Sequence, residues 1–265
     1  MKDEILSCLS PQYPWGELLS FLPETDSTNT QLKRLAREGA PEGTALVSGH
    51  QTGGRGRKGR SFFSPEGLGI YLSILLRPKC EAAQLMHLTC ATGVAMCDAM
   101  ESITGRRPGI KWTNDLVYGK QKLGGILTEL GFTPQGGLSY AVIGIGVNCC
   151  QQRADFPAEI RDMACSLAMM SGTEISRAQV AAAMLNALYQ MNEVLLTGKE
   201  TMFDRYRQDC VTLGKNVSLV RGEEVRHAYA LNVDDSGALV VRLPDGLLET
   251  VNSGEVSVRG MYGYL

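Results

Sequence analysis

KLGGILTELGF at residues 122–132 and LSYAVIGIGVN at residues 138–148, joined by TPQGG, form the stretch on which the fold turns. Both runs read as longer strands, and the short Gly- and Pro-bearing connection reads as a turn between them. Just upstream, after Pro108, IKW and LVY are shorter strand candidates separated by the Thr113-Asn114-Asp115 turn. Further back, Thr44–Gly49 and Ile70–Leu76 also look extended, the second placing Ile70, Leu72, Ile74 and Leu76 on one side. Helical spacing interrupts these strands irregularly. TQLKRLAREG follows a capping Asp26-Ser27-Thr28, with Leu32, Leu35 and Ala36 on one face and Gly39 to end it. One long helix is expected from Glu81 to Ile103, and helical spacing returns from Ser176 to about Gln208 with a break near Gly198. The order is that of an α+β protein with a mixed sheet, not of a regular βαβ repeat.

Beyond Gly214 the texture changes. KNVSLVRG, VRHAYALNV, ALVVRL, LLETV and EVSVR are short strand candidates punctuated by Asp-Asp-Ser-Gly, Pro-Asp-Gly and Asn-Ser-Gly turns, which suggests a small SH3-like β-barrel. The expected organisation is an N-terminal extension at 1–20, a catalytic domain at 21–212 and the small C-terminal domain at 213–265.

Composition narrows the function classes. The chain has 265 residues, 44% of them hydrophobic, and a net charge of −2, so no broad field attracts nucleic acid. Eight scattered cysteines with no Cys-x-x-Cys pair, and only three histidines, give neither a zinc site nor a disulfide framework; reduced thiols of a cytoplasmic protein are expected. The N-terminus carries Asp3 and Glu4 and is broken by Pro11 and Pro14, unlike a signal peptide. No apolar run approaches the roughly 20 residues of a membrane-spanning helix.

Against this background GRGRKGR at 54–60, after the strand-like TALVSGHQ that ends at Gln51, stands out. Glycines and cations together wrap an anion with backbone N–H groups and charged side chains. A loop that is mobile when empty and closes over a phosphate-bearing ligand is expected, because several charge-assisted hydrogen bonds offset its ordering entropy. An RNA-binding Arg-Gly segment has similar composition, but such tails are usually longer and terminal.

Four segments in order resemble the biotin protein ligase family: Asp26-Ser27-Thr28-Asn29; Gln51 with the basic loop; Lys111-Trp112-Thr113-Asn114-Asp115 followed by Lys122-Leu123-Gly124-Gly125-Ile126-Leu127; and Gly144-Ile145-Gly146-Val147-Asn148. The resemblance covers about residues 20–265 and implies a catalytic domain like that of class II aminoacyl-tRNA synthetases, followed by the small barrel. It implies activation of the biotin carboxylate by ATP and Mg²⁺ to biotinyl-5′-AMP, then transfer to a lysine of a biotin carboxyl carrier protein. A carboxylate of pKa about 4.3 is already a nucleophile at neutral pH, which agrees with the lack of any evident Ser/His/Asp or Cys/His constellation.

By resemblance, Ser27, Thr28, Asn29, Gln51, Gly54, Arg55, Gly56, Arg57 and Lys122 bind biotin, and Arg57, Arg60, Phe62, Asn114, Lys122 and Asn148 the adenylate. Lys122, Arg55 and Asp115 are the implied catalytic groups. Ser27 and Thr28 also read as a plain helix cap, and Asp115 as a turn cap; as a functional group Asp115 would orient the incoming amine or hold magnesium, with no dedicated protein metal site expected. The chain departs from the family pattern at Thr113, usually Pro, at Phe62, often Trp, and at Gly124, commonly Ala, where added backbone freedom is expected. The stretch before Ser27, with Pro11 and Pro14, leaves no room for a DNA-binding helix-turn-helix, so neither DNA nor membrane is an expected partner. The expected assembly is a monomer or homodimer. The competing readings are a lipoate ligase on the same fold and a non-catalytic adenylate- or RNA-binding module.

Overall fold

Alternation along the strands sorts the central sheet into two faces with different jobs. The computed structural model describes residues 1–252 and 257–260. Its strands β1 (Leu19–Leu22), β2 (Ala45–Ser48), β3 (Gly69–Leu76), β4 (Gly109–Lys111), β5 (Asp115–Tyr118), β6 (Gln121–Phe132) and β7 (Leu138–Asn148) form one seven-stranded sheet. The order is β1-β2-β3-β7-β6-β5-β4, with β1 and β2 parallel and the other neighbours antiparallel. The strand pair read from 122–148 is the β6–β7 hairpin, and Ile110 and Lys111 of IKW and all of LVY fall on β4 and β5, with Trp112 in the turn between them.

One face is the core. Ile70, Leu72, Ile74 and Leu76 of β3 join Ala141, Ile143, Ile145 and Val147 of β7 and Ile126 of β6 there. Helices α3 (Leu88–Thr104) and α5 (Arg177–Val194) pack on each other and against this face, with α1 (Lys2–Cys8) against α5. Most of α3 is buried, as its largely apolar sequence requires. The opposite face carries the alternate residues: Ser73 lies opposite Gly144, and Tyr71 opposite Gly146. Leu127 and Gly125 of β6 pair with those same two glycines. Helix α2 (Thr28–Arg37) lies over this face, sealing a small cluster of Leu32, Ala36, Leu46, Leu75, Tyr140 and Val142.

The continuous helix expected from Glu81 to Ile103 is broken. Ala82–Leu85 is a separate 3-10 turn closed by a capping box between Glu81 and Gln84, and α3 begins only after His87. His87 is buried with Nε2 bonded to the Leu195 carbonyl at 2.9 Å, which holds the start of α3 against the end of α5. The short α4 (Leu167–Ser171) precedes α5, and α6 (Lys199–Asp209) follows it after a break at Gly198.

The five strands expected of the C-terminal module are present: β8 (Asn216–Arg221), β9 (Glu224–Val233), β10 (Leu239–Arg242), β11 (Leu248–Val251) and β12 (Ser257–Gly260), antiparallel in the order β11-β10-β9-β8-β12. The turn expected at 252–254, and the start of the last expected strand, lie partly outside the described residues. The Trp112 indole N–H donates to the Gly237 carbonyl at 2.9 Å and Arg207 Nε to the Val233 carbonyl at 2.9 Å, tying the module to the turn after β4 and to α6. All eight cysteines are free thiols, and no helix among the described residues is long and apolar enough to cross a membrane.

Candidate active site

The face under α2 opens into a cavity of about 700 Å³, roofed by the basic loop. Of the residues expected there, Ser27, Thr28, Asn29, Gln51, Arg55, Gly56, Arg57, Arg60, Phe62, Asn114, Asp115 and Lys122 all line it. Gly54 and Asn148 do not. Gly54 lets the two arms of the loop approach: an added Cβ would lie 2.6 Å from both the Phe62 carbonyl oxygen and Ser64 Oγ. The Asn148 amide is buried and donates to the Cys165 carbonyl at 2.9 Å, holding the chain that leads into α4.

At one end, side chains from α2, β3 and β6 form a buried polar network. Ser27 takes the N-cap position of α2, but its hydroxyl makes no capping bond, which leaves it at the cavity wall. The Thr28 backbone N–H donates to Gln51 Oε1 at 2.9 Å, and Gln51 Nε2 donates to Ser64 Oγ at 3.2 Å. Ser73 Oγ is 2.7 Å from Thr28 Oγ1 and 2.5 Å from Asn29 Oδ1. Asn29 Nδ2 donates to the Leu127 carbonyl at 3.2 Å and to Glu129 Oε2 at 2.9 Å, and Lys33 pairs with Glu129 at 2.5 Å. Burial pushes the Glu129 carboxyl up, but Lys33, Asn29 and Arg55 together outweigh it and hold the pKa below its ordinary value. Gly144 is what lets Asn29 lie so close to the sheet, since a Cβ there would sit 2.0 Å from Asn29 Oδ1. At Gly146 a Cβ would meet the Phe62 ring at 2.5 Å.

The other end is cationic. Arg55, Arg57, Lys58, Arg60, Lys111 and Lys122 line the cavity, and Asp115 is the one carboxylate among the described lining residues. Arg57 Nη1 reaches Thr113 Oγ1 at 2.9 Å and Asn114 Oδ1 at 2.8 Å, pinning the loop to the turn between β4 and β5. The hydroxyl of Thr113 thus gives Arg57 an acceptor that a proline side chain would lack. The Trp112–Thr113 peptide is cis. Burial lowers the pKa of the Arg57 guanidinium, opposed by the Asp115 charge; burial and the neighbouring Arg57 and Arg60 lower that of Lys58. Lys58 has φ 56°, in the left-handed region that costs a non-glycine residue roughly 1–2 kcal/mol. Lys122 Nζ pairs with Asp115 Oδ1 at 2.7 Å, and Asn114 Nδ2 donates to the same oxygen at 3.2 Å.

Gly124 corrects an expectation. Its lack of a side chain serves close approach rather than backbone freedom, because a Cβ would lie 2.5 Å from the Gly146 carbonyl oxygen on the paired strand. Sequence reasoning gave no role to Lys111, Ser73 or Glu129. Lys111 had a signal, being a cation beside the Trp112 motif; a serine or glutamate in a strand gives none.

Residues 21–148 match the Biotin/lipoate A/B protein ligase family, and residues 212–259 match the Biotin protein ligase C terminal domain. The fold is therefore that of the biotin/lipoate ligase class. The bifunctional ligase/repressor BirA of Bacillus spizizenii is 34% identical over 236 residues, covering 88% of this chain and 71% of that protein. The biotin--[acetyl-CoA-carboxylase] ligase of Mycobacterium tuberculosis is 30% identical over 263 residues, covering 97% and 93%. A biotin protein ligase from Aquifex aeolicus, solved in complex with biotin and ATP, superposes with a TM-score of 0.77 at 31% identity, covering 91% of this chain and 98% of that one. The chain belongs to the biotin protein ligase family.

Proposed function

We propose that this chain activates biotin with ATP, releasing pyrophosphate, and passes the biotinyl group from biotinyl-5′-AMP to a lysine of a biotin carboxyl carrier protein in the cytoplasm. The observation that carries this reading is the division of one cavity into a buried neutral hydrogen-bonding end and an end lined by six cations, where Lys122 pairs with Asp115. The first end suits an uncharged cyclic head group; the second suits a carboxylate meeting a triphosphate.

In the first step a biotin carboxylate oxygen attacks the α-phosphorus and pyrophosphate leaves. Lys122 stands where negative charge builds on the phosphoryl oxygens, and its ion pair with Asp115 keeps it aimed into the cavity beforehand. Arg55 and Arg57 reach in from the loop, and the Arg57 bonds to Thr113 and Asn114 close the roof that keeps water from the mixed anhydride. The Phe62 ring, seated on Gly146, offers its face to the adenine, with Asn114 and Arg60 beside the nucleotide. Magnesium would arrive with the ATP, with Asp115 the lining carboxylate able to meet it. In the second step the carrier lysine amine attacks the biotinyl carbonyl and AMP leaves. That amine has an ordinary pKa of about 10.4, so a carboxylate such as Asp115 helps by orienting it and accepting its proton. The names of the relatives support acetyl-CoA carboxylase as the source of the carrier.

Incubation of the protein with Mg-ATP and either biotin or lipoate, followed by mass spectrometry, tests the reading. Biotinyl-AMP and pyrophosphate are expected. Lipoyl-AMP would move the chain to the lipoate side of the class, and no adenylate with either acid would leave a binding module.

A further inference from the structure

Behind the cavity wall, one carboxylate sits at the end of a chain of hydrogen bonds that leads to the ligand. Glu129 does not line the cavity, yet it lies on the site face of β6 and holds the Asn29 amide. We propose that Glu129 is a positioning residue that sets the hydrogen-bond polarity Thr28 shows to the ligand, and so selects a head group that offers an N–H. The inference rests on reading the cavity as a biotin site.

The argument is an accounting of protons. An ionised carboxylate and a backbone carbonyl accept only, so the Asn29 atom that faces Glu129 and Leu127 has to be the NH₂ group. The carbonyl oxygen of that amide is then turned to Ser73, 2.5 Å away, and accepts the one proton of the Ser73 hydroxyl. Ser73 has no second proton for Thr28 Oγ1 at 2.7 Å, so the Thr28 hydroxyl donates inward to Ser73 or to Gln51 Oε1 at 3.2 Å. Either way its only proton is spent inside the wall. Toward the cavity Thr28 presents lone pairs alone, and a ligand atom placed against it must be a donor. The ureido ring of biotin has two such N–H groups; a dithiolane ring has none.

Lys33 makes the device sensitive to charge. In Glu129→Gln the side-chain carbonyl is drawn to the Lys33 ammonium, which turns the new NH₂ toward Asn29 and opposes the native amide orientation. A flipped Asn29 would donate to Ser73, Ser73 to Thr28, and the Thr28 proton would be free for a ligand acceptor. Removing the ammonium as well, in Glu129→Gln/Lys33→Met, leaves the half-exposed Arg55 guanidinium, 3.8 Å from Glu129 Oε1 in the wild type, as the weaker pull on that side and lets the glutamine carbonyl return to Asn29.

The test is calorimetric titration of wild type, E129Q and the double variant with biotin and with the two cyclic-carbamate analogues in which one ureido N–H is replaced by ring oxygen. Wild type is expected to prefer biotin over the less tolerated carbamate by about a hundredfold or more, since a site built to meet an N–H rejects an acceptor. That ratio falls by roughly tenfold in E129Q, the scale of one buried hydrogen bond, and recovers in the double variant. Thermal melting checks that each variant is folded. An unchanged ratio in E129Q, with both ligands weakened equally, would reduce Glu129 to a structural support and overturn the inference. Failure of wild type to bind biotin at all would overturn the reading of the cavity and this inference with it.

Discussion

The two ends of the cavity are built in opposite ways. At the head-group end Thr28 and Asn29 of α2 and Ser73 of β3 are bonded to neighbours and nearly or wholly excluded from solvent. At the phosphate end four of the six lining cations, Arg55, Arg57, Lys58 and Arg60, ride on a glycine-rich loop with few backbone bonds, Gly56 to Arg60 and Phe62 to Gly54 among them. A rigid end recognises an uncharged ring, whose binding depends on exact donor and acceptor placement. A loop suits a polyanion, which long-range charge attracts before geometry is complete and which must be both enclosed and released.

The strongest break of this contrast is at the junction of the two ends. Lys122→Ala is expected to leave the fold near normal while adenylate formation loses about 3–4 kcal/mol of transition-state stabilisation, read as pyrophosphate exchange. Next come the paired glycines of β7. Gly144→Ala places a methyl group 2.0 Å from Asn29 Oδ1, an atom locked within the network, and is expected to cost about 1–3 kcal/mol of stability and most of the biotin affinity. Gly146→Ala meets the Phe62 ring, which the loop can carry aside; its effect should fall on the KM for ATP with little change in melting temperature. Equal damage from the two substitutions would erase the contrast.

A weaker effect is expected at the latch. Arg57→Ala should release biotinyl-AMP into solvent faster, and Thr113→Val, which removes one of the two acceptors, should do so to a lesser degree; single-turnover analysis of free and bound adenylate measures both. The smallest effect is in the response to acid. The folded pKa of Glu129 lies below its ordinary value of 4.5, so the stability it contributes is complete above that value and is lost as pH falls through the lowered one. Melting temperature followed downward from pH 5 should therefore drop less steeply in Glu129→Gln than in wild type.

Much of this was legible in the chain. Alternation in β3 announced the core face, because apolar residues two apart leave a clear signature. Its complement was silent: Tyr71 and Ser73 face the site, and a strand serine looks the same whether it meets water or a buried asparagine. The motif residues were found by resemblance, but the reason for Gly144 and Gly146 lies in Asn29 and Phe62, distant in sequence and brought over the sheet only by the fold. Glu129 was missed because a glutamate in a strand ordinarily faces solvent. The helix from Glu81 was misread as continuous because its helical spacing runs on through His87, although the Glu81–Gln84 capping box that closes off the 3-10 turn is a local signal.

Hydrogen exchange followed by mass spectrometry, on the protein alone and with biotin and Mg-ATP, tests the contrast most directly. The account predicts that peptides spanning residues 54–60 exchange quickly alone and become strongly protected with both ligands. Peptides from β3 and β7, covering 70–76 and 142–148, should be protected in both states. Strong new protection in those strands, with none in the loop, would contradict it.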